Sequence, residues 1–219
     1  MGSHFDRGWR QIVVCASGPS IDQAQADTIA AARAAGACRV IVVNETWRLV
    51  PSADVLYAAD AAWWTLRLAD VRAGFRGELW TQDEGQARIN GGPREQWIDA
   101  APRLGINVVH SVSGAGLHAD GSAVRRGGNS GHQAIALSVL FGARRIVLAG
   151  FDMKFGKDGK KHWHGSHEGL ANGNPAGWIA HFEKLADDLA AAGIECVNAS
   201  AATALTCFPR AKLSEALGV

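Results

Sequence analysis

The four cysteines of this chain show no C-x-x-C or C-x-x-H spacing, and its 219 residues contain a single tyrosine. Scattered as they are, with three in or beside apolar runs, Cys15, Cys38, Cys196 and Cys207 read as small buried hydrophobes in a reducing compartment, not as metal ligands or disulfide partners. There is no G-x-G-x-x-G, which makes a dinucleotide oxidoreductase a poor reading, and no G-x-x-x-x-G-K-[ST], which sets aside a P-loop NTPase. No run approaches the length of a membrane span. No basic segment followed by an apolar one opens the chain, so the expectation is a cytoplasmic protein. A formal net charge of +1 demands neither a nucleic-acid nor a membrane partner. Residues 1–8 read as a tag or unstructured arm, with Met1-Gly-Ser-His4 resembling a cloning remnant.

What is present is an alternation of short β-branched runs with amphipathic segments. Residues 11–16 predict a strand, stopped abruptly by Ser17-Gly18-Pro19-Ser20, and residues 21–35 an Ala-rich helix closed by Gly36. A second strand covers residues 39–43 and ends at Asn44-Glu45. Residues 54–58 predict a third, ending at Asp60 before a Trp-rich helix over 61–68. Weaker strand signals lie at 78–81 and 107–111, with a helix with loose ends between 82 and 105 and a glycine-rich loop or hairpin at 111–128 that could cover a site. Residues 144–150 form an apolar strand ending at Phe151-Asp152. A helix over 176–192 with Trp178, Phe182, Leu185 and Leu189 on its apolar face, a strand over 195–198 and a short helix near 212–217 complete the chain. The fold class expected is α/β: a Rossmann-like, mostly parallel sheet with helices on both faces, in a single domain over residues 9–219.

A polar residue follows the carboxyl end of nearly every strand, where open α/β sheets place their ligand contacts. The densest such region runs from residue 125 to 167. Gly127, Gly128 and Gly131 flank Asn129 and Ser130 ahead of a helical segment, so unpaired N–H groups and small polar side chains collect at a helix N-terminus suited to a phosphate or carboxylate. Arg125, Arg126, Arg144, Arg145, Lys154, Lys157, Lys160 and Lys161 concentrate positive charge there, as an anionic ligand or merely a solvated face would have it. After Asp152 comes a polar loop, residues 154–175, a candidate lid carrying His162-Trp163-His164-Gly165-Ser166-His167. Three imidazoles in six positions suit a general base, a phosphate contact or a metal, and the sequence leaves the metal unknown. Ser130, Asp152 and His162 follow the chain order of an α/β-hydrolase triad, but the second glycine of the nucleophile elbow falls one place early and no strand leads into Ser130. Ser17 to Ser20 alone read as a βα turn, with Gly18 supplying the conformation and Ser20 capping the helix. The tryptophans read as core or groove-lining residues, Trp163 alone as a substrate platform.

Taken in order, Gly18-Pro19-Ser20, Asn44, Asn129-Ser130-Gly131, Leu148-Ala-Gly-Phe-Asp152 and His162-Trp-His-Gly165 resemble the bacterial sialyltransferases of glycosyltransferase family 42, and equally the motility accessory factor (Maf) and MptE-like group. The likeness spans residues 11–209. It implies a nucleotide-binding domain holding a CMP-activated sugar among Ser17, Gly18, Pro19, Ser20, Asn44, Glu45, Asp60, Asn129, Ser130, Gly131 and Asp152, with His162 or His164 deprotonating an acceptor hydroxyl. No tightly bound cofactor is expected; the CMP-sugar is a substrate. In those sialyltransferases tyrosines assist departure of the CMP phosphate, whereas Tyr57, the one tyrosine here, lies in a predicted strand. Asp60 stands where they tend to carry an amide, a change closer to the Maf and MptE-like members. The MptE-like alternative is a diphosphokinase using ATP with Mg²⁺, for which Asp60 and Asp152 are the candidate carboxylates. A nucleotide-binding module without chemistry is the third reading, and a homo-oligomer is compatible with all three.

Overall fold

In the computed structural model, which describes residues 5–156, 159–165 and 175–219, the apolar runs become seven parallel strands. They are β1 (Gln11–Cys15), β2 (Arg39–Val43), β3 (Val55–Tyr57), β4 (Glu78–Gln82), β5 (Asn107–Val109), β6 (Arg145–Ala149) and β7 (Glu195–Asn198). Their order across the sheet is β7-β6-β1-β2-β3-β4-β5, every pair parallel. The central strands are buried on both faces, which is why QIVVC, RVIVV and RIVLA are nearly continuous in apolar residues instead of alternating. Val13 at the centre pairs with Val147 on one side and Val40 on the other.

The helices divide between the two faces. Against Val13, Val40, Val42 and Leu56 pack α1 (Gln23–Ala34), α2 (Ala61–Gly74), α3 (Trp97–Arg103) and α6 (Leu213–Leu217), through Ile29, Trp64, Trp97 and Leu217. Against Ile12, Val14, Ile41 and Leu148 pack α4 (Ser130–Leu140) and α5 (Ile179–Ala191), through Ile135, Leu137, Phe182 and Leu185. From β1 the chain steps outward strand by strand to β5. It then crosses the opposite face through α4 and inserts β6 on the free side of β1. The strand order therefore reverses between β1 and β6, and the two turns that leave these strands diverge, opening a crevice above their carboxyl ends.

Those two turns touch before they part. Gly18 N–H donates to the Gly150 carbonyl at 2.8 Å. A Cβ on Gly18 would lie 2.3 Å from Asp152 Oδ1 and 2.4 Å from Gly150 O, and a Cβ on Gly150, whose φ is +70°, 2.3 Å from Ala16 O. Glycine at both positions is a condition of the crossing.

Several boundaries differ from the sequence expectation. Helix α1 is capped by Asp22, whose side chain accepts from Gln25 N in a capping box, and not by Ser20, whose hydroxyl is committed to Asp152 at 2.7 Å. The stretch expected as one loose helix between 82 and 105 contains an antiparallel ribbon, Gln86–Arg88 with Arg94–Gln96, ahead of α3. The 111–128 segment is tied down: Ser111–Val112 pairs with Val124–Arg125, Gly116 N–H donates to His132, and Leu117 N–H to Asp188. Nor are residues 5–8 a loose arm, since Arg7 N–H reaches the Phe141 carbonyl and the Arg7 guanidinium lies over the rings of Trp9, Trp80 and Phe141. Residues 1–4 lie outside the described part. Among the described residues no helix is long and apolar enough to cross a membrane.

Gly150→Ala is expected to lower stability by about 2 kcal/mol or more, because a left-handed backbone and a backbone clash coincide. Gly36→Ala, also at positive φ but with no atom within 4 Å of the added Cβ, serves as control and should cost about 1 kcal/mol. Urea midpoints at unchanged m-value measure both; equal losses would show that the clash contributes nothing.

Candidate functional site

Above the β1/β6 divergence lies a cleft of about 460 Å³. Its walls come from the strand ends and the α4 N-terminus: Ser17 and Gly18 after β1, Asn44 after β2, Asp60 after β3, Asn129, Ser130 and Gly131 at the start of α4, and Asp152 after β6. Trp63 of α2 and Trp178, just before α5, add aromatic surface, and Lys154, Lys161 and His162 close the loop side. Nine of the residues expected at the site from sequence thus meet in one cavity. Four do not. Pro19 lies on a second, shallow depression shared with Trp163, Ser20 braces Asp152, Glu45 is ion-paired, and His164 stacks beside His162 outside the cleft wall.

The α4 wall is an open helix N-terminus, an arrangement that can receive an anion. Asn129 is the N-cap, its Oδ1 accepting from His132 N at 3.0 Å, which leaves the Ser130 and Gly131 amides without intrahelical acceptors. Gly127 and Gly128, at φ +54° and +78°, turn the chain into this start. Gly131 lies close against Phe151, where a Cβ would be 3.0 Å from the ring. Ser130 Oγ accepts from Ala59 N at 3.1 Å and so pins the helix start to the end of β3. That commitment, with His162 bonded to Ser17 and Asp152 to Ser20, means Ser130, Asp152 and His162 are not linked as a triad.

The basic cluster anticipated around this stretch is split by the sheet. Strand β6 carries five residues at roughly 3.3 Å each, which puts Arg145 at the opposite edge, paired with Glu195. Arg125 bonds the carbonyls of Leu117 and Ser113, and Arg126 pairs with Glu84. Lys160 lines the shallow depression, and Lys157 lies outside the described residues. Lys154 and Lys161 remain at the cleft.

Histidine placement follows from one residue of the first turn. Ser17 Oγ lies 3.0 Å from His162 Nδ1, and the Ser17 carbonyl accepts from Trp163 N at 3.1 Å. The His162 and Gly165 amides and carbonyls bond each other reciprocally, closing a tight turn. This seats Trp163 against the α1 face of the sheet, so it is no platform for the main cleft. His164 stacks on His162 with planes 4° apart, and burial, with the His162 charge second, lowers it to about 4. His167 lies outside the described residues. Among the described residues no group of three His, Cys, Asp or Glu side chains is arranged to hold a metal ion.

The carboxylates fall into two classes. Burial alone would raise Glu45, but hydrogen bonds from Arg48 at 2.8 Å and Arg67 at 2.9 Å outweigh it and hold the carboxyl below its usual range. It is an ion-pair node, and the Arg at i+3 was its visible signal. Asp152 and Asp60 shift the other way. Asp152 is raised by burial despite accepting from Ser20 N and Oγ. Asp60 heads α2 without making a side-chain cap bond; it opens onto the cleft, yet the surrounding walls desolvate it and raise its carboxyl. Tyr57 is fully buried, its hydroxyl donating to Gln133 Oε1 at 2.5 Å, and does not reach the cleft.

No family model, curated protein or solved structure matches this chain.

His132 of α4, fully buried with Nε2 accepting from Gly116 N, is likewise lowered by burial to about 4. In the unfolded chain both imidazoles protonate near 6.5. Between these values the unfolded state holds more protons, so stability present above pH 6.5 is lost as pH falls toward 4. The raised carboxyls of Asp60 and Asp152 act in the opposite sense. His132→Gln and His164→Gln are therefore each expected to flatten the decline of urea-unfolding free energy between pH 7 and 4.5. Slopes identical to the parent protein would show that neither imidazole is held neutral.

Proposed function

We propose that this protein is a transferase using a nucleotide-activated donor, most specifically a CMP-sugar-dependent, sialyltransferase-like glycosyltransferase with His162 as general base. One observation carries the reading: a helix N-terminus built for a phosphate and a hydrogen-bonded histidine share a cleft of about 460 Å³, of a size suited to a nucleotide. The Ser130 and Gly131 amides, with Lys154 and Lys161, offer hydrogen bonds and charge to the donor phosphate. In the step proposed, the acceptor hydroxyl oxygen attacks the anomeric carbon of the sugar. The bond from that carbon to the phosphate oxygen breaks, its electron pair leaves with CMP, and His162 takes the acceptor proton.

His162 is preferred to His164 because it lines the cleft, while His164 lies outside the wall and, near 4, is a weak base at neutral pH. With Tyr57 buried away from the cleft, stabilisation of the departing phosphate falls to the α4 amides and the two lysines. Ser17 is the positioning residue: its hydroxyl holds Nδ1 of the imidazole and its carbonyl holds the following residue.

The presence of Asp60 and Asp152 in the same cleft favours the MptE-like diphosphokinase as second reading. Both oxygens of Asp152 accept from Ser20, so Asp60 is the carboxylate available to a Mg²⁺-nucleotide.

CMP is expected to raise the melting temperature without added metal, by the mass-action stabilisation of the folded state. His162→Ala should retain this shift while losing transfer from a CMP-sugar by about a hundredfold or more. Stabilisation by ATP that strictly requires Mg²⁺, with none by CMP, would move the assignment to the diphosphokinase. Nucleotide binding with no turnover, unaffected by His162→Ala, would leave a binding module.

A further inference from the structure

Outside the cleft, the carboxyl end of the sheet carries a further pair of titratable side chains. Gln82 at the end of β4 pairs in register with Val109 at the end of β5, so the residues that follow, Asp83 and His110, stand side by side on the strands beyond β3. His110 Nδ1 bonds Asp83 Oδ2. The other oxygen of that carboxylate accepts from Ser111 N at 2.9 Å and from Ser111 Oγ at 2.7 Å. Burial alone would raise Asp83, but the bonds from Ser111 and His110 outweigh it and hold the carboxyl below its usual range.

This arrangement decides where the imidazole carries its proton. An ionised carboxylate only accepts, so Nδ1 is the protonated nitrogen and the lone pair of the neutral ring lies on Nε2. Among the described residues Nε2 has no hydrogen-bond partner. The burial of the two side chains is opposed, Asp83 being 11% exposed and His110 65%. A charge held inside thus orients a ring held outside, and counters it if the ring becomes cationic.

The other described histidines differ. His118 also bonds a carboxylate, but there the exposures are reversed, 25% for the imidazole and 65% for Asp120, whose charge water already screens. His162 and His181 meet neutral groups at Nδ1, the Ser17 hydroxyl and the Gly127 carbonyl. His132 is fully buried.

His110 lines neither the cleft nor the shallow depression, so no wall of either encloses a small substrate around its Nε2. What an oriented, solvent-facing nucleophile does without a pocket is accept a group from a donor. Arg126, bonded to Glu84 and to Ser113 Oγ, brings a guanidinium to the same rim, where it suits an anionic group. A phosphoryl group on imidazole is readily lost, so its donor must hold the group no more firmly, which a P–N bond satisfies.

We propose that His110 is a phosphoryl-acceptor site, modified at Nε2 by a donor that carries its phosphoryl group on nitrogen, with Asp83 as the positioning residue. The Nε2 lone pair attacks phosphorus, the donor's P–N bond breaks, and its electron pair leaves with the nitrogen, which is already protonated, so that a neutral amine departs. Nδ1 keeps its proton, and the positive charge of the phosphorylated ring is held against the Asp83 carboxylate. The site is separate from the donor cleft, so its failure leaves the nucleotide reading untouched.

The probe is potassium phosphoramidate at neutral pH, applied to the full chain, to the same chain unfolded in urea, and to Asp83→Asn, which keeps an acceptor oxygen for Nδ1 and removes its charge. Mass spectrometry of peptides handled under alkaline conditions locates the group, and ¹H–³¹P correlation identifies the nitrogen. In the folded chain His110 is expected to react about tenfold or more faster than His118, at Nε2 alone, and urea should abolish both the preference and the single regiochemistry. Asp83→Asn, its fold checked by an unchanged circular dichroism spectrum, should slow His110 by about tenfold. If that variant does not fold, the comparison of folded with unfolded parent chain still decides. Phosphorylation of His110 at Nδ1, equal rates at His110 and His118, or a rate unchanged in folded Asp83→Asn would each overturn the proposal.

Discussion

The contact between the turns after β1 and β6 is the constraint on which the rest of this protein depends. It is made of two glycines, one hydrogen bond of 2.8 Å and a buried Asp152 that accepts twice from Ser20. The parallel sheet alone would put two strand ends side by side. The close crossing decides how far they stand apart, and thereby the shape of the crevice between them. The segment after β7 reinforces it: Ser200 Oγ accepts from Phe151 N, Thr203 donates to the Phe151 carbonyl, and Ala204 N reaches the Asp152 carbonyl. Three strands therefore brace one turn. Rigid elements of this kind are what a site needs if its polar groups are to be held ready before a ligand arrives.

On that frame the cleft draws each wall from a different strand end. The α4 start supplies backbone amides, the β1 turn supplies the hydroxyl bonded to His162, and the ends of β2 and β3 bring Asn44 and Asp60 to the wall. Structural electrostatics is kept elsewhere. Glu45 is neutralised by Arg48 and Arg67, and Asp54 by Arg33, Arg39 and the Val40 amide. In both, burial opposes the charge and the guanidiniums win. Among the described residues Asp60 has no such partner, and burial raises its carboxyl instead. A carboxylate whose charge the fold does not compensate stands out against two whose charge it does.

Much of this was legible in the amino-acid order, for identifiable reasons. The strands announced themselves because a doubly covered parallel sheet demands unbroken β-branched runs, and the cleft because polar residues recur immediately after those runs. The Asn129-Ser130-Gly131 start was readable from its glycines and small polar groups. What escaped lies where partners come from distant positions. Ser20 looked like a cap until Asp152, 132 positions away, claimed it. The ribbon at 86–96 has no alternation to reveal it, since its residues are largely exposed and polar. The positive cluster appeared continuous because sequence proximity hides the length of a strand.

Ser17 holds the histidine turn by two atoms, hydroxyl to His162 and carbonyl to Trp163. The imidazole is thus tied at two points to the residue that ends the central strand. Under the reading proposed above, the position of the base is a property of the sheet, separable from whatever part of the protein selects the acceptor.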